Sequence, residues 1–215
     1  FSSDLAHELR TPISNLMTQT QVALTRARNP DEYREVLESN AEEYERLARM
    51  VGDMLFLAQA EHGLVVPSRE PVDLANEVRE LFDFFDALAE EKSLQLSLTG
   101  SGQISGDKLM LRRALANLLS NAIRHTPAGG SIRVAIELTD RGAALAIENT
   151  GEAIPPQHLS RIFDRFYRAD PSRHHGNEGA GLGLAITRSI VRAHGGEISA
   201  HSTADGVRFE IRLGH

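Results

Sequence analysis

Hydrophobic residues in the first 60 positions recur at alternating steps of four and three, which is the heptad pattern of packed helices. Two such runs are separated by the turn "RNPDEY", where Asn29 can cap a helix that starts at Pro30. The runs consist of Leu5, Leu9, Ile13, Leu16, Thr20, Ala23 and Ala27, and of Tyr33, Leu37, Asn40, Tyr44, Leu47, Val51, Met54 and Ala58. Because one antiparallel hairpin cannot bury both stripes, the pattern predicts that two copies close into a four-helix bundle. A coiled-coil spacer without chemistry would have the same pattern.

The pattern changes after about residue 66, where helical and strand periods alternate. Asp73 can cap a helix that runs to about Glu91, and a second helix is predicted over residues 107–125. Period-two alternation predicts strands at residues 94–98, 132–138, 143–148, 197–201 and 207–213. The short turns favour a largely antiparallel sheet with helices on one face. The prediction is an α+β chain, in which residues 1–66 form the helical hairpin and residues 67–215 form an α/β two-layer sandwich.

Composition narrows the class of protein. A chain of 215 residues with 41% hydrophobic content can bury a core, and the absence of cysteine excludes disulfide and thiol chemistry. The net charge of −7 argues against nucleic acid as the main partner, whereas the locally basic residues 161–175 suggest a small anionic ligand. The apolar stretches are too short to span a membrane, and the abrupt start at Phe1 predicts a fragment of a longer chain.

His7 lies in the stretch "SSDLAHELRTP" and is predicted to point away from the hydrophobic stripe of the first helix. Glu8 is its immediate neighbour, and Arg10 and Thr11 share its helical face. Pro12 removes the amide that would bond the carbonyl of Glu8, which weakens the helix beside the histidine. A mobile imidazole next to a carboxylate is suited to nucleophilic attack with that carboxylate as base, although a lone surface histidine is usually inert.

Polar side chains form a stripe on the helix predicted over residues 107–125. Asn117, Asn121 and Arg124 follow one another at i, i+4 and i+7, opposite a leucine-rich side. Two carboxamides and a guanidinium offer an oxygen ligand for a hard cation and donors for phosphate. Asparagines near a helix end also serve as caps, so the stripe alone leaves both interpretations open.

Two glycine-containing stretches accompany this stripe. In "GAGLGL", Gly179, Gly181 and Gly183 precede a predicted helix, so that the backbone and free helix amides can approach an anion closely. The spacing fits neither a dinucleotide fingerprint nor a P-loop. In "IENTGEAIP", Asn149 is placed to form a hydrogen bond with the edge of a ligand, and Gly151 leaves room for that ligand. Taken alone, such a stretch is usually a turn without a binding function.

Five stretches, in this order, resemble the sequence boxes of sensor histidine kinases. "AHELRTP" resembles the histidine box, "NLLSNAIRH" the N box, "ENTGEAIP" the first glycine box, "IFDRFYR" the phenylalanine box and "GAGLGL" the second glycine box. The resemblance spans nearly the whole chain. It implies a dimerisation and histidine phosphotransfer domain followed by an ATP-binding domain of the Bergerat type, which gyrase, Hsp90 and MutL share.

The resemblance also implies an enzymatic function, that of a protein histidine kinase. His7 would accept the phosphoryl group of ATP, Glu8 would act as base, and Thr11 would assist a reverse phosphatase reaction. The phosphoryl group would then pass to an aspartate on the receiver domain of a response regulator, and residues 1–66 would form a homodimer.

By the same resemblance, the cofactors are ATP and Mg²⁺. Asn121 would hold Mg²⁺, Asn117 and Arg124 would face the phosphates, Asn149 would contact adenine, and residues 168–178 would form a lid. The remaining residues implied to bind ATP are His125, Gly151, Ile154, Phe163, Arg168, Gly179, Gly181, Leu182 and Gly183.

Three positions depart from the family pattern. The first glycine box usually begins with aspartate where Asn149 stands, and Ala153 replaces its second glycine. The N box usually has lysine where Arg124 stands, which keeps the positive charge. The amino-acid sequence of residues 148–173 is similar to that of the copper and silver subgroup of heavy-metal sensor kinases.

Two other functions use the same nucleotide boxes. One is an ATP-hydrolysing machine of the gyrase type, and the other is a nucleotide-binding scaffold that signals without phosphotransfer.

The family resemblance also implies that this chain is the cytoplasmic portion of an inner-membrane sensor protein, attached to the membrane only through segments absent from this chain. The signal, the paired regulator and the choice between transfer within and between subunits stay open.

Overall fold

A computed structural model describes residues 2–140, 142–169, 180–203 and 205–214, with the side chains of residues 2–5, 7 and 203 left out. The chain divides into two compact units, Phe1–Phe56 and Leu57–His215. The first unit therefore ends before residue 66, and the domain boundary expected there stays a prediction. Among the described residues, no helix is both long and apolar enough to cross a membrane.

Two long helices, α1 (Ser2–Leu24) and α2 (Pro30–Glu61), form the predicted hairpin. Asn29 caps α2 as expected: its Oδ1 accepts from the amide of Glu32 at 2.8 Å, and the Glu32 carboxylate accepts from the amide of Asn29 at 3.0 Å. Helix α1 continues through Pro12, whose ring nitrogen cannot donate to the carbonyl of Glu8. The helical backbone includes His7, but its side chain lies outside the described residues, so its exposure stays a prediction.

The predicted hydrophobic stripe of α2 is only partly covered, and its exposed positions alternate with buried or half-buried ones between residues 37 and 54. Met54 is buried, whereas Leu37, Tyr44 and Val51 are 66%, 60% and 45% exposed. These residues lie on a face that the single hairpin cannot cover, as the heptad argument anticipated. Ile13, Met17 and Leu24 of α1 are also exposed large hydrophobic residues.

One polar residue interrupts the buried positions of the hairpin. Asn40 is only 6% exposed, and its Nδ2 donates to Oγ1 of Thr20 at 3.2 Å. Its Oδ1 is buried and has no hydrogen-bond partner within the described ranges. A buried amide of this kind costs stability but fixes the register of packed helices.

The second unit contains seven strands and four helices within the described residues, which are β1 (Glu70–Asp73), α3 (Leu74–Glu91), β2 (Gln95–Gly100), β3 (Gln103–Gly106), α4 (Lys108–His125), β4 (Ser131–Thr139), β5 (Gly142–Thr150), α5 (Pro156–Leu159), α6 (Gly183–Ala193), β6 (Glu197–Thr203) and β7 (Gly206–Gly214). The strands form a five-stranded sheet of order β2-β4-β5-β7-β6 and a two-stranded sheet of β1 and β3. Within the large sheet β2 and β4 are parallel, and the other neighbours are antiparallel.

Hydrophobic side chains from the sheet and the helices form one core in this unit. Ile132, Ile147 and Phe209 of the sheet pack in it, with Leu118 and Leu119 of α4. Buried and exposed positions alternate along β4 and β7, because the helices cover one face of the sheet. The predicted helical hairpin and two-layer sandwich are therefore confirmed. The short β1, β3 and α5 were not predicted, since elements of four residues carry too little periodic pattern.

A buried carboxylate ties α3 to the first half of α4. Glu77 is 2% exposed and lies 3.2 Å from both the Lys108 ammonium and the Arg112 guanidinium. Arg112 also pairs with Glu80. Because removing one partner of a buried ion pair leaves an uncompensated charge, this cluster fixes how the two helices meet.

The amino end of α4 is held by Asp107. One carboxylate oxygen accepts from the amide of Met110 at 3.0 Å, and the other accepts from the amide and hydroxyl of Ser68. The amide of Asp107 donates to Nε2 of His194, which is itself buried and bonded through Nδ1 to the carbonyl of Ile190. The Met110 amide, helped by Ser68, lowers the pKa of the Asp107 carboxyl below its ordinary 3.8 and outweighs the effect of burial.

Replacing Asp107 is expected to change both stability and its pH dependence. A lowered pKa means that this carboxylate stabilises the fold above pH 3.8, and that the stabilisation is lost as the pH falls through the folded value. Asp107→Ala should lower the free energy of unfolding by about 1 kcal/mol at neutral pH. Asp107→Asn can still cap the helix, so it should lose less stability while removing this contribution to the acid slope. Urea titrations between pH 7 and pH 3 would test this, and an unchanged acid slope in Asp107→Asn would contradict it.

Candidate functional site

The polar stripe predicted on α4 is present in the structure. Asn117 and Asn121 are half-buried, and Arg124 and His125 are exposed at the carboxyl end of the helix. The opposite side of α4 is buried, which fixes the rotation of the helix about its axis. The stripe therefore faces away from the core.

The second glycine box meets this stripe at Asn117. The Nδ2 of Asn117 donates to the carbonyl of Gly183, the first residue of α6, at 3.1 Å. The Thr187 hydroxyl donates to the same carbonyl at 2.9 Å. Leu182 is buried and its side chain does not cap α6, so within the described residues no side-chain oxygen caps the first amides of this helix. Such amides favour a negatively charged ligand.

Gly181 joins the glycine box to the phenylalanine box. Its φ of +69° is left-handed, and a Cβ there would lie 2.9 Å from the carbonyl carbon of Phe166. The amide of Phe166 donates to the Gly181 carbonyl at 3.0 Å, and Phe166 itself has a φ of 59°. Only glycine fits at position 181, because any side chain would strike the backbone of the phenylalanine box.

The first glycine box meets the other end of the stripe. A Cβ on Gly151 would lie 2.7 Å from the carbonyl oxygen of His125, so the turn after β5 lies directly against the end of α4. Asn149 is 5% exposed, and its Nδ2 donates to the carbonyl of Thr150 at 3.1 Å. This hydrogen bond orients the amide, and Oδ1 is the acceptor that it can offer to a ligand.

Two contacts that hold this turn were not anticipated from the sequence. The amide of Ile154 donates to the hydroxyl of Ser202 at 2.7 Å, and the amide of Gly151 donates to the carbonyl of Asp205 at 3.3 Å. The partners lie about 50 residues further along the chain, in and after β6. No local pattern marks such pairs, because only the sheet order brings them together.

The guanidinium of Arg124, at the carboxyl end of α4, lies within electrostatic range of that of Arg168. Although Arg124 is exposed, neighbouring atoms that partly desolvate its guanidinium lower its pKa, and the charge of Arg168 lowers it further. The Arg124 guanidinium keeps its positive charge at neutral pH. An anion between or beside two arginines relieves their repulsion, which is the electrostatic condition for binding phosphate.

Some predicted site residues are placed in the core or lie outside the described residues. Phe163 is buried and packs edge-on against Phe209 with ring centroids 6.2 Å apart, and Ile154 packs partly against the same core. Their contact with a nucleotide stays a prediction. Gly179 and residues 170–178 of the predicted lid lie outside the described residues.

Two stretches that are distant in the sequence contact helix α4. Asn117 contacts the start of α6, His125 contacts the turn after β5, and Asn121 lies one turn from each on the same stripe. Amide oxygens, guanidinium groups and uncapped helix amides together suit a ligand with a polar edge and several phosphates. Within the described part of the chain, no group of three or more histidine, aspartate or glutamate side chains could hold a metal ion.

Comparison with known families agrees with this chemistry. Residues 106–215 match the family described as "Histidine kinase-, DNA gyrase B-, and HSP90-like ATPase". Residues 1–63 match the "His Kinase A (phospho-acceptor) domain". The ATPase family implies ATP binding, so this part of the cofactor prediction is confirmed.

The individual proteins that this chain resembles are also sensor kinases. The chain is 53% identical to sensor histidine kinase CusS of Escherichia coli (strain K12) over 99% of its own length and 45% of CusS. It therefore spans about half the length of the curated relatives that it matches.

Two solved structures share the fold. Acinetobacter baumannii histidine kinase AdeS has a TM-score of 0.79 at 24% identity, covering 97% of both chains. Histidine kinase ThkA in complex with response regulator protein TrrA has a TM-score of 0.77 at 23% identity, covering 99% of this chain and 60% of that one. With a phospho-acceptor hairpin followed by an ATPase domain of this class, the chain belongs to the sensor histidine kinase family.

Proposed function

We propose that this chain is an ATP-dependent protein histidine kinase that phosphorylates His7 and passes the phosphoryl group to an aspartate of a response regulator. The observation that carries the proposal is the convergence of both glycine boxes on α4, through the Asn117–Gly183 hydrogen bond and the close approach of Gly151 to His125. The match of residues 1–63 to a phospho-acceptor domain supports the choice of His7 as nucleophile.

In the proposed reaction, a neutral imidazole nitrogen of His7 attacks the γ-phosphorus of ATP in line with the leaving oxygen. The new N–P bond forms as the bond to the β,γ-bridging oxygen breaks, so ADP leaves and Glu8 takes the imidazole proton. Arg124 and Arg168 are the charged groups that would stabilise the phosphates. A second transfer moves the phosphoryl group from the histidine to the carboxylate of the regulator.

Asn121 is the proposed protein ligand for Mg²⁺. It is half-buried and supplies one amide oxygen on the stripe that also carries Arg124. Mg²⁺ is usually held by few protein oxygens together with waters and substrate phosphates, so a single amide without a carboxylate cluster fits this ion. When bound, the ion would neutralise charge on the phosphates.

Thr11 is the proposed aid to dephosphorylation of the regulator. It is exposed on α1, four residues after His7, so the two positions lie on one helical face. A hydroxyl there can orient a water molecule but cannot replace Glu8 as a base.

The proposed homodimer forms through residues 1–66. The exposed hydrophobic side chains of the hairpin support it, because an apolar stripe of this length on a soluble helix pair normally packs against another surface. The solved complex of ThkA with TrrA supports a response regulator as the second partner. Attachment to an inner membrane, and a metal signal such as copper or silver, would depend on segments absent from this chain.

A Bergerat-type ATPase and a nucleotide-binding scaffold are the alternative functions. Both would use the nucleotide site on the second unit without a phosphate acceptor on the first. The phospho-acceptor match of residues 1–63 favours the kinase over either alternative.

The His7→Gln variant should lose autophosphorylation completely while keeping the affinity for ATP, because the nucleophile and the nucleotide site lie on different units. Labelling with γ-labelled ATP should give an acid-labile and base-stable product in the unmodified protein and none in His7→Gln. His62→Gln, which alters an exposed histidine just after α2, should label normally. Equal labelling of His7→Gln would refute the assignment.

The Asn121→Ala variant should weaken ATP binding strongly in the presence of Mg²⁺ and little in its absence, since the lost group is the proposed metal ligand. Calorimetric titrations with ATP, with and without the metal, would measure both effects. If the metal dependence of affinity is the same in the variant, Asn121 is not the ligand.

Substitutions at Asn149 should separate binding from stability. Asn149→Ala removes the proposed acceptor for the adenine amine and should weaken ATP binding by about 1 to 3 kcal/mol. Asn149→Asp keeps an acceptor but loses the donor to the Thr150 carbonyl, so it should bind ATP while unfolding more easily. Nucleotide titration and thermal unfolding of both variants would test this. Undiminished ATP affinity in Asn149→Ala would show that the side chain does not touch the base.

A further inference from the structure

Lysine occurs at only two positions in this chain, 92 and 108, and both side chains lie at ends of α4. Lys108 is the first residue of α4 and pairs with the buried carboxylate of Glu77 at 3.2 Å. Lys92 directly follows α3 and reaches the opposite end of α4. The two lysines therefore have different partners, one an acidic side chain and the other the main chain.

The ammonium group of Lys92 donates to three main-chain carbonyls. These are the carbonyls of Ile123 at 2.8 Å, Arg124 at 3.0 Å and Thr126 at 3.3 Å. The last carbonyls of a helix have no amide partner within it, so a side chain that binds them satisfies acceptors that would otherwise depend on water. An ammonium group has three donors around one nitrogen and can reach three converging oxygens, whereas the planar guanidinium of arginine cannot do so as well.

The backbone of Lys92 is joined to the same turn. Its carbonyl accepts from the amide of Gly129 at 2.9 Å, and the amide of Gln95 donates to the carbonyl of Gly130 at 2.9 Å. Gly130 is tightly enclosed, since a Cβ there would lie 2.5 Å from the Thr126 side chain and 2.6 Å from the Thr150 hydroxyl. The end of α4 is therefore fixed on one side by Lys92 and on the other by the last residue of β5.

This end of α4 is the part of the helix closest to the first glycine box. Arg124 and His125 lie there, and the His125 carbonyl approaches Gly151. The carboxyl end of a helix carries a partial negative charge, which repels an anion placed beside it. A polyphosphate that binds near Arg124 therefore needs this charge to be offset, and the Lys92 ammonium lies directly on the carbonyls that carry it.

We propose that Lys92 is a positioning residue of the nucleotide site, whose ammonium group holds the carboxyl end of α4 and offsets its negative charge for the polyphosphate of ATP. The inference rests on the proposed ATP site. Lys92 acts through the main chain of α4 and not by contact with the nucleotide. Its loss should consequently affect charged nucleotides more than an uncharged nucleoside.

The test compares Lys92→Gln, Lys92→Met and Lys92→Arg in the whole chain, with Lys108→Gln as the matched control at the other end of α4. Glutamine keeps two donors and removes the charge, so the fold should be retained. Dissociation constants for ATP and adenosine would be measured by calorimetry, and KM and kcat by autophosphorylation. Thermal unfolding of each variant would report any loss of stability.

Lys92→Gln should raise the dissociation constant of ATP about threefold to tenfold, in line with the size of charge effects at helix ends, and that of adenosine much less. The KM for ATP should rise with kcat nearly unchanged. Lys92→Met should lose at least as much affinity, and Lys92→Arg should recover part of it. Lys108→Gln leaves Glu77 paired with Arg112 and should bind ATP as the unmodified protein does.

The outcomes separate this inference from the proposed function. If the unmodified protein does not bind ATP, the proposed function itself is wrong. If the unmodified protein binds ATP and folded Lys92→Gln binds it equally well, the inference is overturned. Equal losses for ATP and adenosine would also overturn it, since they indicate a purely structural role. If Lys92→Gln does not fold, Lys92→Arg decides. A loss of ATP affinity that is smaller than about threefold but larger than the loss of adenosine affinity supports the inference, and an equal effect on the two ligands, including no effect on either, overturns it.

Discussion

Helix α4 is held at both ends by polar contacts that include residues far from it in the sequence, and the proposed nucleotide site depends on that placement. At its amino end, the Asp107 carboxylate accepts from the amide of Met110 and from Ser68, while the Asp107 amide donates to the buried His194. At its carboxyl end, Lys92 binds the last carbonyls. Because the two ends are fixed by polar contacts and the buried side by hydrophobic packing, the polar stripe has one position relative to both glycine boxes.

The sequence predicted the parts of the structure that depend on local pattern. The caps at Asn29 and Asp73 and the alternation along the strands are encoded within a few residues, and the structure has them where they were expected. Asp107, predicted as the first residue of a helix, is instead the cap of that helix. The stripe of Asn117, Asn121 and Arg124 follows from helical geometry alone. The family resemblance then supplied roles that no spacing rule could assign.

What the sequence could not predict depends on the tertiary structure. The bond from Asn117 to Gly183 joins residues 66 positions apart, and that from Asp107 to His194 joins residues 87 positions apart. Neither pair has a recognisable spacing, because the sheet order decides which turns become neighbours. The heptad pattern predicted that one hairpin would leave apolar positions uncovered, but not that Leu37, Tyr44 and Val51 would be among them. The pattern marks the apolar positions and does not show which helix covers each of them.

The buried amide of Asn40 limits how α1 and α2 can slide along each other. Its Nδ2 donates to Thr20, while its Oδ1 is buried and has no hydrogen-bond partner within the described residues, so the amide already costs free energy in this alignment. A slip of about one turn along α1 would place Nδ2 opposite Leu16 or Ala23, whose side chains cannot accept a hydrogen bond, and the cost would grow. A displacement of α1 along its axis is therefore expected to carry α2 with it, so that the two helices of the hairpin move together.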